Sequence, residues 1–180
     1  MAEILLSSEK FIKEVTSISD NLSGKYLLPS LREAQEIGLK SILGDKLLEK
    51  LKALVKAGTI ETEADGVYKT LVDRCQYYLA YKTLVEVTNK VSFKIGNFGV
   101  TKSNDENLQV ASQDEIAKMQ YYYQSKADAC CLSLQQFLLD NRTDYPELTE
   151  CCCQRIASNL HSAASCGIFL GGCRGKIIRR

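Results

Sequence analysis

Histidine is nearly absent from this chain of 180 residues, which has His161 alone. That scarcity removes most Ser-His and Cys-His nucleophile schemes, which need an imidazole beside the nucleophile and a further group to orient it. No run approaches the roughly 18 uninterrupted apolar residues of a membrane span. The start, Met1 to Leu6, has no basic stretch ahead of its short apolar run, so no export signal is expected. Glycine-rich phosphate loops and zincin helices are missing as well. Acids are plentiful, as on any solvated helix face, and no pair is set apart for acid and base roles. A soluble, unexported, non-catalytic chain without a cofactor is expected, with no membrane among its partners.

The last thirty residues lack acid altogether, and with that the chain changes character at Cys151. Residues 151–180 carry five of the eight cysteines, the histidine and five Lys or Arg. The preceding 150 residues keep 18 basic residues against 22 acids, so an acidic body near −4 precedes an arm near +5. At 45% apolar content the chain can bury one core. The expected division is a helical body over 1–150 and a Cys-rich basic arm over 151–180. Adjacent cysteines, Cys130-Cys131 and Cys151 to Cys153, rarely meet disulfide geometry with each other, so reduced thiols in a cytoplasm are expected.

Hydrophobic spacing predicts a mainly α fold, a bundle of about five helices. Ser7 or Ser8 caps a short helix through Phe11, Ile12 and Val15. Pro29, whose missing donor is tolerated near a helix start, opens a second carrying Leu28, Leu31, Ala34, Gln35, Leu39 and Ile42, broken by Gly44. Asp45 is the expected N-cap of a third with Leu47, Leu48, Leu51, Leu54 and Val55, ended by Gly58. The fourth, about Val67 to Thr88, has apolar positions too widely spread for a narrow stripe, which places it centrally. Val91, Phe93 and Ile95 then alternate with polar residues, and Phe98 to Thr101 resumes after Gly96-Asn97, predicting a small β-hairpin at about 91–102. Ser112 and Glu115 have capping-box spacing ahead of Ile116, Met119, Tyr123, Ala127, Cys130, Leu134 and Phe137, one expected buried face. Asn141 to Tyr145 and Pro146 end that helix, and a short one around Arg155 to Ala164 precedes a glycine-spaced end.

Three constellations are candidates for function. Cys151, Cys153, His161, Cys166 and Cys173 include enough soft donors for tetrahedral zinc, although paired C-x-x-C knuckles are missing. A zinc-binding or nucleic-acid-binding helical protein is therefore the alternative function. Tyr121 to Tyr123 invite a stacking reading, but on a helix they point in different directions and no basic residue interleaves with them in a groove-like pattern. Core plus surface is the reading taken, and Tyr77, Tyr78 and Tyr81 are read likewise. In the arm, Ile168, Phe169, Leu170, Ile177 and Ile178 are residues that a solvated tail normally avoids. Arg174, Lys176, Arg179 and Arg180 would suit the acidic rim of a partner that covers them. Packing of the arm on its own body remains the other possibility.

Lys25-Tyr26-Leu27-Leu28-Pro29-Ser30-Leu31, Ala34-Gln35 and Ile42-Leu43-Gly44-Asp45-Lys46-Leu47 carry a family resemblance. It continues through Ala80-Tyr81, Gly99-Val100, Ala127, Phe137 to Asn141 and Tyr145-Pro146-Glu147, and into Asn159 to Ile168, Leu170-Gly171-Gly172 and Arg174-Gly175. The chain resembles the head-to-tail connector (adaptor) proteins of tailed bacteriophages, especially those of gut Bacteroides and crAss-like phages. The resemblance implies a structural virion protein, assembled in the host cytoplasm and located at the neck. It also implies a ring homo-oligomer, a dodecamer, beneath the portal, with portal protein, adjacent neck or tail ring proteins and DNA in the channel as partners. Adaptor, stopper and tail-completion levels all remain open. The arm residues are then candidates for binding portal or neighbour, and Phe93, Ile95, Phe98, Val100 and Lys102 of the hairpin for inter-subunit contact.

Overall fold

The computed structural model of the chain describes residues 4–16, 18–19, 22–61, 66–96, 99–102 and 112–148, the side chains of 92–102 excepted. Helix α1, Glu9–Thr16, starts where Ser8 Oγ accepts the Phe11 N–H at 3.1 Å, and it buries Ile12 completely. Helix α2, Gly24–Glu33, is capped by Ser23, so Pro29 lies inside it rather than at its start. The donor that proline lacks would have served the carbonyl of Lys25, in the first turn, where a lost bond disturbs the ladder least. The helix continues as a π turn, Ala34–Leu39, and then as α3, Lys40–Leu43, until Gly44 turns the chain at φ 79°.

Gly44, not Asp45, is the N-cap of α4, Asp45–Ala57, and Asp45 is its first residue. A carboxylate in that first turn still faces unpaired amides. Gly58 ends α4 at φ 68°, with its N–H on Val55 O and the Thr59 N–H on Leu54 O, the double bond that closes a helix in a left-handed cap.

Helix α5, Val67–Ser92, organises everything else. Leu71, Val72, Cys75, Tyr78, Leu79, Ala80, Thr83, Leu84 and Val87 are all buried, and at 100° per residue they cover more than half its circumference. It packs against α1, α2, the π turn and the last long helix, α6, Gln113–Asp140. Its end lies four residues beyond Thr88, so Val91 is a helical residue, not a strand residue. Tertiary bonds hold that extra turn: Lys90 Nζ reaches Glu33 Oε2 at 2.7 Å, and Asn89 Oδ1 accepts from Gln120 Nε2 at 2.6 Å.

Strands β1, Phe93–Gly96, and β2, Gly99–Lys102, then pair antiparallel with Phe93 opposite Lys102 and Gly96 opposite Gly99. This short ladder adds no layer, and the class is mainly helical. Ser112 and Glu115 form the full capping box of α6, with the Ser112 N–H on Glu115 Oε2 at 2.8 Å. Bonding to Ser112 holds the Glu115 carboxyl below its usual range. Helix α6 returns antiparallel along α5 and ends in a 3-10 turn, Arg142–Asp144. Tyr145 then hydrogen-bonds from its hydroxyl to Val67 O at 3.1 Å, fastening the end of the described chain to the start of α5.

Gln35 shows what the π turn positions. Fully buried, it accepts the Leu6 N–H at 2.9 Å and donates to Ile4 O at 3.0 Å, while Gln76 of α5 donates to Leu6 O at 2.9 Å. Two amide side chains thus clamp one backbone residue, and a helix-face position read only from its spacing becomes the anchor of the N-terminal segment. Replacing Gln35 by Ala is expected to cost about 1–3 kcal/mol, because the Leu6 N–H loses its partner. Urea unfolding measures that loss, and faster exchange of the Leu6 amide locates it. Leu79→Ala, at the centre of α5, is expected to cost about 2–5 kcal/mol in the same assay.

Candidate functional site

Most candidate residues read from the sequence lie outside the described residues. Those are Phe98, the arm residues Ile168, Phe169, Leu170, Arg174, Lys176, Ile177, Ile178, Arg179 and Arg180, and the donors Cys151, Cys153, His161, Cys166 and Cys173. Phe93, Ile95, Val100 and Lys102 are described as strand backbone only. Among the described residues no group of three or more His, Cys, Asp or Glu is placed to hold a metal ion. No helix among them is long and apolar enough to cross a membrane.

The described thiols are poor nucleophiles for a physical reason. Cys75 is fully buried in α5, and burial pushes its pKa far up. Burial, with Asp128 and Cys130 beside it, pushes Cys131 up to about 11, and burial also raises Cys130. Thiolate is the reactive form, so these cysteines pack as small apolar groups.

An open groove of about 560 Å³ runs between α5 and α6. Tyr77, Cys130 and Leu134 line it, with Thr70, Asp73 and Arg74 also on its wall. The Arg74 guanidinium lies 4.3 Å from the Phe137 ring centroid, and Tyr77 meets Phe11 edge to face at 5.5 Å. Mixed charge and openness suit a packing seam more than a small-molecule pocket, which encloses most of its ligand.

The surface that stands out is the first half of α6. From Gln113 to Lys126 no residue is buried, whereas Ala127, Leu134 and Leu138 further along are. The continuous buried face expected from spacing is therefore wrong at its start: Met119 is 53% exposed, and Ile116 and Tyr123 are half-buried. Periodicity marks which face turns inward but not whether a neighbour reaches it, and among the described elements α5 is the one that packs substantially on α6. Tyr121 and Tyr122 are 78% and 55% exposed, while Tyr78 of α5 is core.

Sequence reading also missed a grouping. Lys118, Tyr122 and Lys126 stand four residues apart and so share one outward face, joined by Tyr121 and Ser125. Lys126 Nζ sits 5.6 Å from the Tyr122 ring centroid, and Tyr123 meets Tyr122 edge to face at 5.5 Å. The signal available was an acid-free stretch: between Glu115 and Asp128 there is no Asp or Glu.

One long central helix, packed by shorter ones and paired with a return helix whose first half is largely exposed, defines a mainly helical protein. Residues 39–158, two thirds of the chain, match the family described as Family of unknown function (DUF6712), and the chain belongs to that family. No curated protein and no solved structure matches the chain.

Iodoacetamide labelling, followed residue by residue, tests the state of the thiols. A pKa raised to about 11 leaves about one Cys131 in ten thousand as thiolate at pH 7. Its labelling should be slow there and accelerate as pH rises, and Cys75 should react only after unfolding. Rapid labelling of Cys131 at pH 7 would contradict this environment.

Proposed function

We propose that this chain is a structural, non-catalytic subunit of the head-to-tail connector of a tailed-phage virion, repeated as a ring between portal and tail. The observation that carries the reading is the first half of α6, where Met119 is exposed and Ile116 and Tyr123 are only half-buried, apolar surface that the other described residues leave uncovered. Exposed aromatics on a rigid helix suit protein contacts, since a ring brings large area at low entropic cost. Leu28 and Ile37, on α2 and the π turn, add exposed apolar residues on another element. A closed ring requires two different complementary faces on each subunit. Repetition around the ring then multiplies a weak contact into a strong one. The residues that resemble phage adaptors, Lys25 to Leu47, form α2, the π turn, α3 and the start of α4, of which α2 and the π turn pack on α5.

In this reading the helical body forms the ring wall, and the two-stranded ladder is an insertion by which Phe93, Ile95, Phe98, Val100 and Lys102 reach a neighbour. The arm residues Ile168 to Arg180 dock on the portal or on the next ring. Deleting residues 167–180 is expected to leave helical circular dichroism unchanged and to abolish co-sedimentation with portal complexes. Retained binding would remove the arm from this reading. Imaging of the virion neck tests the whole: absence of the chain from the capsid vertex, or stoichiometric metal with no ring or portal association, would overturn it.

A further inference from the structure

The outward face of α6 combines features that the packing of the subunit does not use. Lys118, Tyr121, Tyr122, Ser125 and Lys126 all lie on its solvent side, opposite Ala127, Leu134 and Leu138. Each ends in a hydrogen-bond donor, and none carries negative charge. Lys118 and Lys126 form no ion pair among the described residues, whereas Lys82 and Lys90 of the facing helix are paired with Glu86 and Glu33. The acids Asp114 and Glu115 are confined to the first turn of α6, and the next one, Asp128, accepts from Gln124 at 2.6 Å. About two and a half turns of cationic, donor-rich surface on a body near −4 form a local reversal of charge.

We infer that this face, from Lys118 to Lys126, contacts the phosphate backbone of duplex DNA without reading its sequence. Phosphate oxygens accept and never donate, and Lys, Tyr and Ser are among the side chains that serve them. The two ammonium groups belong to residues about 12 Å apart along the helix axis at 1.5 Å per residue, a span that crosses several phosphates of one strand. Duplex is favoured over single strands by the state of the rings. Tyr122 already has Lys126 over its face and Tyr123 against it, which leaves Tyr121 as a single exposed ring where single-strand binders line up successive rings along a groove. The connector reading supplies only the place where a duplex would pass, through the ring, and this inference rests on it for that alone.

The test uses the full chain and a short mixed-sequence duplex, with binding followed by fluorescence anisotropy over a series of salt concentrations. Lys118→Gln with Lys126→Gln should weaken binding about tenfold at moderate salt and reduce the slope of log affinity against log salt by about two. Lys10→Gln with Lys46→Gln, the same loss of charge on α1 and α4, should leave both unchanged. Absence of duplex binding by the parent chain, equal effects of the two pairs, or preference for single strands would each overturn the inference. Loss of self-association or portal recruitment at unchanged duplex affinity would overturn it in favour of an acidic protein partner. Failure of the DNA experiment leaves portal recruitment standing, and absence of the chain from the neck leaves the DNA result standing, so the two readings fail separately.

Discussion

Burial of α5 on more than one side is the constraint from which the rest follows. A helix that packs through more than half its circumference cannot be stable alone in water, because its apolar surface needs several neighbours at once. Helices α1, α2 with its π turn, and α6 supply them. The ends of this assembly are fastened by polar bonds: Gln35 and Gln76 clamp Leu6, and Tyr145 reaches Val67. Burial pushes the Tyr145 hydroxyl up to about 12, so it stays a donor over the physiological range. Lys52 hydrogen-bonds Glu36 at 2.7 Å and holds that carboxyl below its usual range, joining the π turn to α4. That contribution is present at neutral pH and fades as pH falls through the lowered pKa of Glu36.

The same constraint produces the exposed surface. The buried positions of α5 run from Leu71 to Val87, and beyond them Asn89 bonds Gln120 of α6 while Lys90 pairs with Glu33 of α2. Among the described residues, the first half of α6 packs along α5 and turns tyrosines and lysines to solvent on its far side. A core at one end and a more exposed helix pair at the other would suit the proposed connector subunit, which has to fold before it assembles. The proposed connector role and the proposed duplex contact both use the part of the molecule that the core does not need.

Chemistry is quiet throughout the described residues. Buried thiols are held protonated, and some charged side chains pair along helix faces, such as Lys13 with Glu9 and Lys52 with Glu49. Pairs of this kind, whose partners all keep some contact with solvent, contribute little each, so they tune the surface without marking a reactive site.

Local chemistry was legible in the sequence wherever one segment decides it alone. Ser8, Gly44, Gly58 and the Ser112-Glu115 box set helix ends because caps depend on neighbours within one turn. The central position of α5 followed from apolar residues on too many sides. Only the tertiary structure decided how far α5 runs past Thr88, that Pro29 sits within a helix, that Gln35 is an anchor, and that Met119 is bare. Periodicity reports which way a side chain points along its own helix. Whether another element arrives to cover it depends on residues far away in the chain.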